Sequence, residues 1–250
     1  NGKDFGEIWG FETDGLIQTE GEAMADQTEI YPNWGPGDMK YVDINGDGKI
    51  TEGNRTLTDH GDLKVIGNST PRFNVGISGG FQWKNFDFNM NWSGNLKQDY
   101  LPAFGVNAFW GLTNSWANSA VFVDAPVLDY WRPADETNLL GPNTDAYFPK
   151  PYFSNETLKN RKPQSKYVLN AAYLRLRNIQ FGYTVPESLY QKLPVKNARV
   201  FVSGGNLITL KSLPKTVDPE QTVVGEVSYN TNGYIYPMAA TVTAGLNITF

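Results

Sequence analysis

Along most of the chain apolar residues recur at every second position, the period of a strand with one apolar face. In "RFNVGISGGFQW", Phe73, Val75, Ile77, Gly79, Phe81 and Trp83 share one side, while Asn74, Gly76, Ser78, Gly80 and Gln82 share the other. A short turn at Lys84-Asn85 follows, and the pattern restarts in "FDFNMNWSGNL". There Phe86, Phe88, Met90 and Trp92 alternate with Asp87, Asn89, Asn91 and Ser93. The two runs predict a hairpin of long strands at 72–83 and 86–96. The terminal "AATVTAGLNITF" sets Ala240, Val242, Ala244, Leu246, Ile248 and Phe250 opposite Thr241, Thr243, Gly245, Asn247 and Thr249, predicting a strand within 236–250. Further strands are predicted at 167–185 and 197–210, and a weaker one near 7–13. In the first of these, Leu174 and Leu176 have one parity and Ile179, Phe181 and Tyr183 the other. A bulge near Arg177-Asn178 reconciles them.

The connections alternate between short and long. Lys84-Asn85 and "PESLYQKLPVK" are the short ones, and the long ones cover about 14–70, 98–166 and 211–235. In an up-and-down meander this places short turns at one end and long loops at the other, which is the anatomy of an outer-membrane barrel. The polar faces of 72–83, 86–96 and 236–250 hold Asn, Ser, Thr, Gly, Gln and one Asp, without Lys, Arg or Glu. Strands of about 10–12 residues suit a tilted bilayer crossing and exceed the soluble mode of about 5–6. Trp83, Phe86, Tyr183, Tyr236 and Phe250 fall near strand ends, where aromatic girdles sit. The predicted class is therefore all-β, an antiparallel up-and-down transmembrane β-barrel to which this chain gives five or six strands. The competing reading is a secreted, calcium-stabilised β-sandwich that binds glycans, which alternates too.

Composition narrows the function. The chain has 21 Lys+Arg against 26 Asp+Glu, a net charge of −5, so it lacks the basic footprint of a nucleic-acid binder. Cysteine is absent, which excludes disulfides, Cys-ligated zinc and thiol catalysis. The single histidine, His60, sits in a polar loop and reads as solvated. Asp124, Asp129, Asp135 and Glu136 share one loop with nothing to orient them as a hydrolytic pair. No enzyme is expected. The run "TLKNRKPQSK", with Lys159, Arg161, Lys162 and Lys166, reads as a solvated basic loop able to touch lipopolysaccharide phosphates. The chain begins at Asn1 without an initiator Met and is read as part of a longer protein.

The most specific local chemistry lies in "YVDINGDGKITEGN". In the EF-hand spacing the first, third, fifth and ninth residues offer side-chain oxygens, the seventh a carbonyl, and the twelfth a bidentate carboxylate, with Gly sixth. Here these are Asp43, Asn45, Asp47, Thr51, Lys49 and Asn54, with Gly48 in place. The candidate cofactor is a structural Ca2+ held by that set. Asn54 departs by bringing only a neutral oxygen, and Glu52 or Asp59 is the nearest substitute. Without metal the same residues form an Asx/Gly turn. Candidate substrate contacts are Trp110, Trp116, Tyr130 and Trp131, whose faces stack on sugar rings or peptide side chains or else pack the loop itself.

Several segments resemble the C-terminal region of the SusC/RagA family of TonB-dependent outer-membrane transporters. They are "IWGFETDGLIQ", "PGDMKYVDINGDGKIT", "VIGNSTPRFNVGISGGFQWKNFDFNMNWSG", "YWRPADETN", "NAAYLRLRNIQFGYTVP", "NLITL…DPE" and "YPMAATVTAGLNITF", in that order from Phe5 to Phe250. The resemblance implies a barrel of about 22 strands, of which residues 1–250 are the last part, with the plug domain absent. It also implies a Gram-negative outer-membrane location in contact with lipid, and import of oligosaccharides or peptides. The implied partners are a SusD-like lipoprotein lid and the TonB complex, the latter acting through the missing N-terminal part.

Overall fold

The structure, a computed structural model, describes residues 2–102, 107–110, 129–215, 217–222 and 238–250. Trp116, Asp124 and Tyr236 lie outside the described residues. In chain order the described strands are β1 (Glu7–Phe11), β2 (Thr13–Leu16), β3 (Met39–Tyr41), β4 (Leu63–Asn68), β5 (Arg72–Trp83), β6 (Phe86–Lys97) and β7 (Asp99–Tyr100). They continue with β8 (Leu169–Asn170), β9 (Tyr173–Thr184), β10 (Asn197–Gly205), β11 (Thr209–Lys211) and β12 (Thr241–Thr249). The chain divides into a loop unit, residues 1–70, 99–169 and 220–235, and a sheet unit, residues 71–98, 170–219 and 236–250.

The sheet unit is one antiparallel sheet in the order β12-β10-β9-β6-β5, with β11 beside the start of β9. Its register aligns the predicted apolar positions in rows across the strands. Trp83 faces Phe86, Phe86 faces Tyr183, Tyr183 faces Val200, and Val200 faces Leu246. The next row joins Phe81, Phe88, Phe181, Val202 and Ala244. Ring centroids along these rows are 4.7 Å apart for Phe88–Phe181 and 4.8 Å for Phe86–Tyr183. Much of this face is open, and Val242 is 73% exposed. A β-sandwich would bury such a face against a second sheet, so the sandwich reading fails. An uncovered apolar face is what a lipid-facing wall requires.

The opposite face is polar but carries more charge than β5, β6 and β12 suggested. Arg199 donates through Nε to Asp87 Oδ2 at 2.8 Å and through Nη2 to Oδ1 at 2.5 Å. The pair lies over Gly182, where a Cβ would come within 2.3 Å of both side chains. Phe201 lies over Gly245 in the same way, with a ring carbon 2.3 Å from where a Cβ would stand. Arg175 Nη2 donates to both oxygens of buried Asp218 at 2.9 Å.

Strand limits agree with the alternation except where local geometry intervenes. The strand expected from 167 starts at Tyr173, because Ser165–Tyr167 forms a 3-10 turn. The strand expected to reach 210 breaks at Asn206, whose φ is 53°, and resumes as β11. The bulge falls where the parity shift placed it. Asn91 pairs with Asn178 and Trp92 with Leu176, which leaves Arg177 as the extra residue.

The loop unit is not a set of plain loops. β1 pairs antiparallel with β4, and β2 with β3. Phe11, Met39, Tyr41, Ile50, Phe148 and Tyr167 form part of a buried core of the unit's own. Phe109, Trp110, Tyr147, Phe148 and Tyr167 add a cluster of mostly edge-to-face rings, with Trp110 and Tyr167 centroids 4.7 Å apart. Sequence pattern shows none of this, because the core residues are scattered without a period.

Candidate functional site

The loop unit holds every candidate site residue among those described. In the stretch from Asp43, the side chains turn onto their own backbone. Asp43 accepts from the N–H of Gly46 and of Gly48, each at 2.7 Å. Asn45 Oδ1 accepts from the N–H of Asp47 at 2.9 Å, and Asp47 Oδ1 accepts from that of Lys49 at 2.8 Å. Asn54 turns its amide to Asp59, and the Thr51 carbonyl accepts from the N–H of Asp62 at 2.9 Å. The loop is shut by Asp62, which is fully buried. It accepts from the N–H of Ile44 at 2.9 Å and of Thr51 at 2.8 Å, joining the two ends. Among the described residues no three acidic or histidine side chains are grouped to hold a metal. Two carboxylates and an amide make a light donor set for Ca2+, with Asp43 and Asp47 already accepting hydrogen bonds.

The run "TLKNRKPQSK" departs from its expected solvated state. Lys159 is 1% exposed, and Asn160, Arg161 and Gln164 are buried with it. The Lys159 ammonium meets Asp38 Oδ2 at 2.6 Å and Glu156 Oε1 at 2.9 Å, and donates to the Asn33 carbonyl at 2.8 Å. The rings of Tyr152, Trp34 and Tyr31 surround it at 4.7, 5.3 and 5.6 Å. Asn160 donates to Asp38 at 2.8 Å and accepts from the N–H of Met39 at 2.9 Å. Gln164 donates to the Asn160 carbonyl at 2.7 Å. Tyr41 donates its hydroxyl to the Lys159 carbonyl at 2.7 Å. Burial, with the charge of Asp38 beside it, pushes that hydroxyl far above its ordinary pKa. The basic run is thus the pin that holds β3 in the unit. Its signal in the sequence was the mixture of Asn and Gln among its cations, which serves a buried network better than a solvated face.

Of the aromatic candidates, Trp131 is buried and its indole N–H donates to Gln18 Oε1 at 3.3 Å. Tyr130 is half-buried under Arg132, whose guanidinium carbon is 4.8 Å from the ring. Arg132 Nε donates to the Gly141 carbonyl at 2.5 Å, closing a loop whose tip is Leu139. Trp110 is 2% exposed and belongs to the core. It also walls one side of a cavity of about 540 Å³, where Arg161 lies over its ring at 5.3 Å. Phe11, Leu63, Leu101 and Leu158 form the cavity's apolar part, and Lys3, Arg55, Lys162 and Glu52 its charged rim. Burial lowers the Lys162 pKa, and the nearby charge of Arg55 adds to the effect. Asp129 accepts from Asn143 Nδ2 at 2.8 Å, and Glu136 accepts from the N–H of Thr137 and Asn138.

Comparison with known proteins places this architecture. No family model matches the chain. It is 28% identical to TonB-dependent receptor P3 of Formosa agariphila, over 100% of this chain and 22% of that protein. It is also 28% identical to TonB-dependent receptor P26 of the same organism, over 86% of this chain and 20% of that protein. Among solved structures it superposes on the RagAB peptide transporter with a TM-score of 0.58 at 19% identity, covering 98% of this chain and 23% of that one. The RagAB peptide importer in its open-open state gives 0.57 at 20% identity, covering 97% and 22%. The chain thus spans about a fifth of the length of these proteins. Sequence likeness along its whole length and an antiparallel sheet that fits one stretch of the RagAB fold agree: this chain is similar to part of the TonB-dependent receptors and has the fold of one stretch of the RagAB peptide transporter.

Proposed function

We propose that the chain supplies lipid-facing wall and surface loops to an outer-membrane importer of oligosaccharides or peptides. In this reading TonB supplies the energy through parts of the receptor outside this chain, and a SusD-like lipoprotein covers the loops. One observation carries the reading. The same chain matches TonB-dependent receptors in sequence and the RagAB peptide importer in fold over nearly all its length. The open apolar rows of β5, β6, β9, β10 and β12 support a membrane setting. The test is uptake by cells that carry the complete receptor, against cells in which residues 129–167 are replaced by a short linker. Loss of uptake of oligosaccharides or peptides with the barrel still assembled is the expected result. Unchanged uptake of every such substrate would overturn the reading.

For the stretch 43–54 we propose a weak Ca2+ site formed by Asp43, Asn45, Asp47 and the Lys49 carbonyl, with Thr51 and Asn54 at its margin. Two carboxylates suit the weak end of the calcium range, about 0.1–1 mM. Terbium luminescence from the complete receptor should rise at such concentrations and vanish in the Asp43→Ala, Asp47→Ala double variant. Absence of any signal up to 10 mM, about tenfold beyond that range, would refute it.

A further inference from the structure

The cavity beside Trp110 has a composition that selects a ligand. Its rim brings Lys3, Arg55 and Lys162 to a single carboxylate, Glu52, in a chain whose net charge is −5. Glu52 is already engaged on both sides: one oxygen meets Arg55, and the other accepts from Lys162 at 2.9 Å. The Lys3 ammonium stands 4.2 Å from the Trp9 ring centroid. The rest of the wall is mostly apolar, with Phe11, Leu63, Leu101 and Leu158 beside the rings of Trp9 and Trp110, and Arg161 adds a further cation. A volume of about 540 Å³ is that of an ordinary small-ligand site.

Such a wall is poorly suited to a neutral sugar. Sugar hydroxyls need acceptors, and among the lining residues only Glu52 has an accepting side chain, which the two cations already hold. It suits an anion on an apolar body, because the cations meet the charge while the body covers leucine and phenylalanine surface. We propose that this cavity binds a carboxylate carried on an apolar side chain, as presented by the last residue of a peptide that ends in leucine or phenylalanine. The proposal rests on the import reading only for where such a peptide comes from.

The test uses the complete receptor in detergent, with N-acetyl-glycyl-phenylalanine as probe and calorimetry as the readout. The free acid should bind at least tenfold more tightly than its C-terminal amide, and more tightly than glucuronate. Arg55→Asn should weaken the free acid about tenfold and leave the amide unchanged. That variant removes the cation at a position with φ of 55°, a left-handed conformation that asparagine tolerates, so the fold is spared. Lys162→Met should act in the same direction. Equal binding of acid and amide, tighter binding of glucuronate, or indifference to Arg55→Asn would each overturn the proposal. Binding by the purified receptor without peptide uptake by cells would instead count against the import reading and leave this site standing.

Discussion

Asp62 shows how one side chain can do the work of a strand partner. Its carboxylate accepts from both ends of the stretch that begins at Asp43, so it ties the two ends of the loop together. Asp62→Ala strands backbone donors at a cost of roughly 1–3 kcal/mol each. Limited proteolysis of the receptor should then cut within 43–62, with Asp62→Asn intermediate. The pair at Lys159 is more severe. Lys159→Met leaves Asp38 buried without its main countercharge, at roughly 3–5 kcal/mol. Adding Asp38→Leu should recover part of that loss in thermal unfolding, since the whole ion pair is then gone. Glu22 and Lys40 give a pH-dependent clasp. The Lys40 ammonium, with the Gln18 N–H, holds the Glu22 carboxyl below its usual range, and Glu22 holds Lys40 above its own. The carboxyl's contribution is present above its unfolded value of about 4.3 and is lost as pH falls through the lower folded one. The ammonium's contribution is present below about 10.4 and is lost as pH rises through the higher folded value. Hydrogen-exchange protection of residues 18–22 should therefore hold from about pH 5 to 10 and fall on either side. At this scale the motif from Asp43 was readable because its spacing is local. The roles of Asp62 and Lys159 were not, since each joins segments far apart in the chain.

At the scale of the strand, a side chain matters through the face it occupies. Phe181 lies in an open apolar row opposite Phe88, and Asn89, one ladder step along β6, lies on the polar face. Phe181→Arg should cost about 2–4 kcal/mol near a bilayer midplane, while Asn89→Lys should cost little. The yield of barrel that resists unfolding in cold detergent separates the two. Gly245 is a second lever, since any side chain there meets the Phe201 ring. Gly245→Val should reduce assembled receptor, and Phe201→Ala added to it should restore much of the loss. The parity of apolar positions made these strands and the Arg177 bulge legible in advance. The break at Asn206 was not, because it depends on a backbone angle that no periodicity encodes. The small strands β2 and β3 escaped for a different reason. They pair with each other over only a few residues, and β3 is held from outside that ladder by the Gln27 amide, which bonds the backbone of Met39 and Tyr41 at 3.1 and 2.7 Å, and not by alternation.

For the whole molecule, β5 and β12 each have one neighbour in the sheet. Open edges of this length pair with whatever strand is available. The chain expressed by itself should therefore collect in the insoluble fraction and refold only when the remaining strands are supplied, which co-refolding in detergent would measure. The chain's path carries one more consequence. Tyr41 reaches the Lys159 carbonyl across 118 residues of sequence, and β5 and β6 are synthesised between them. The aromatic core around Tyr167 thus cannot close until that hairpin has been laid down. Its closure is a late, long-range event of the slow kind. A receptor truncated before Lys159 should therefore carry an unclosed, protease-sensitive loop unit, which limited proteolysis of such truncations would show.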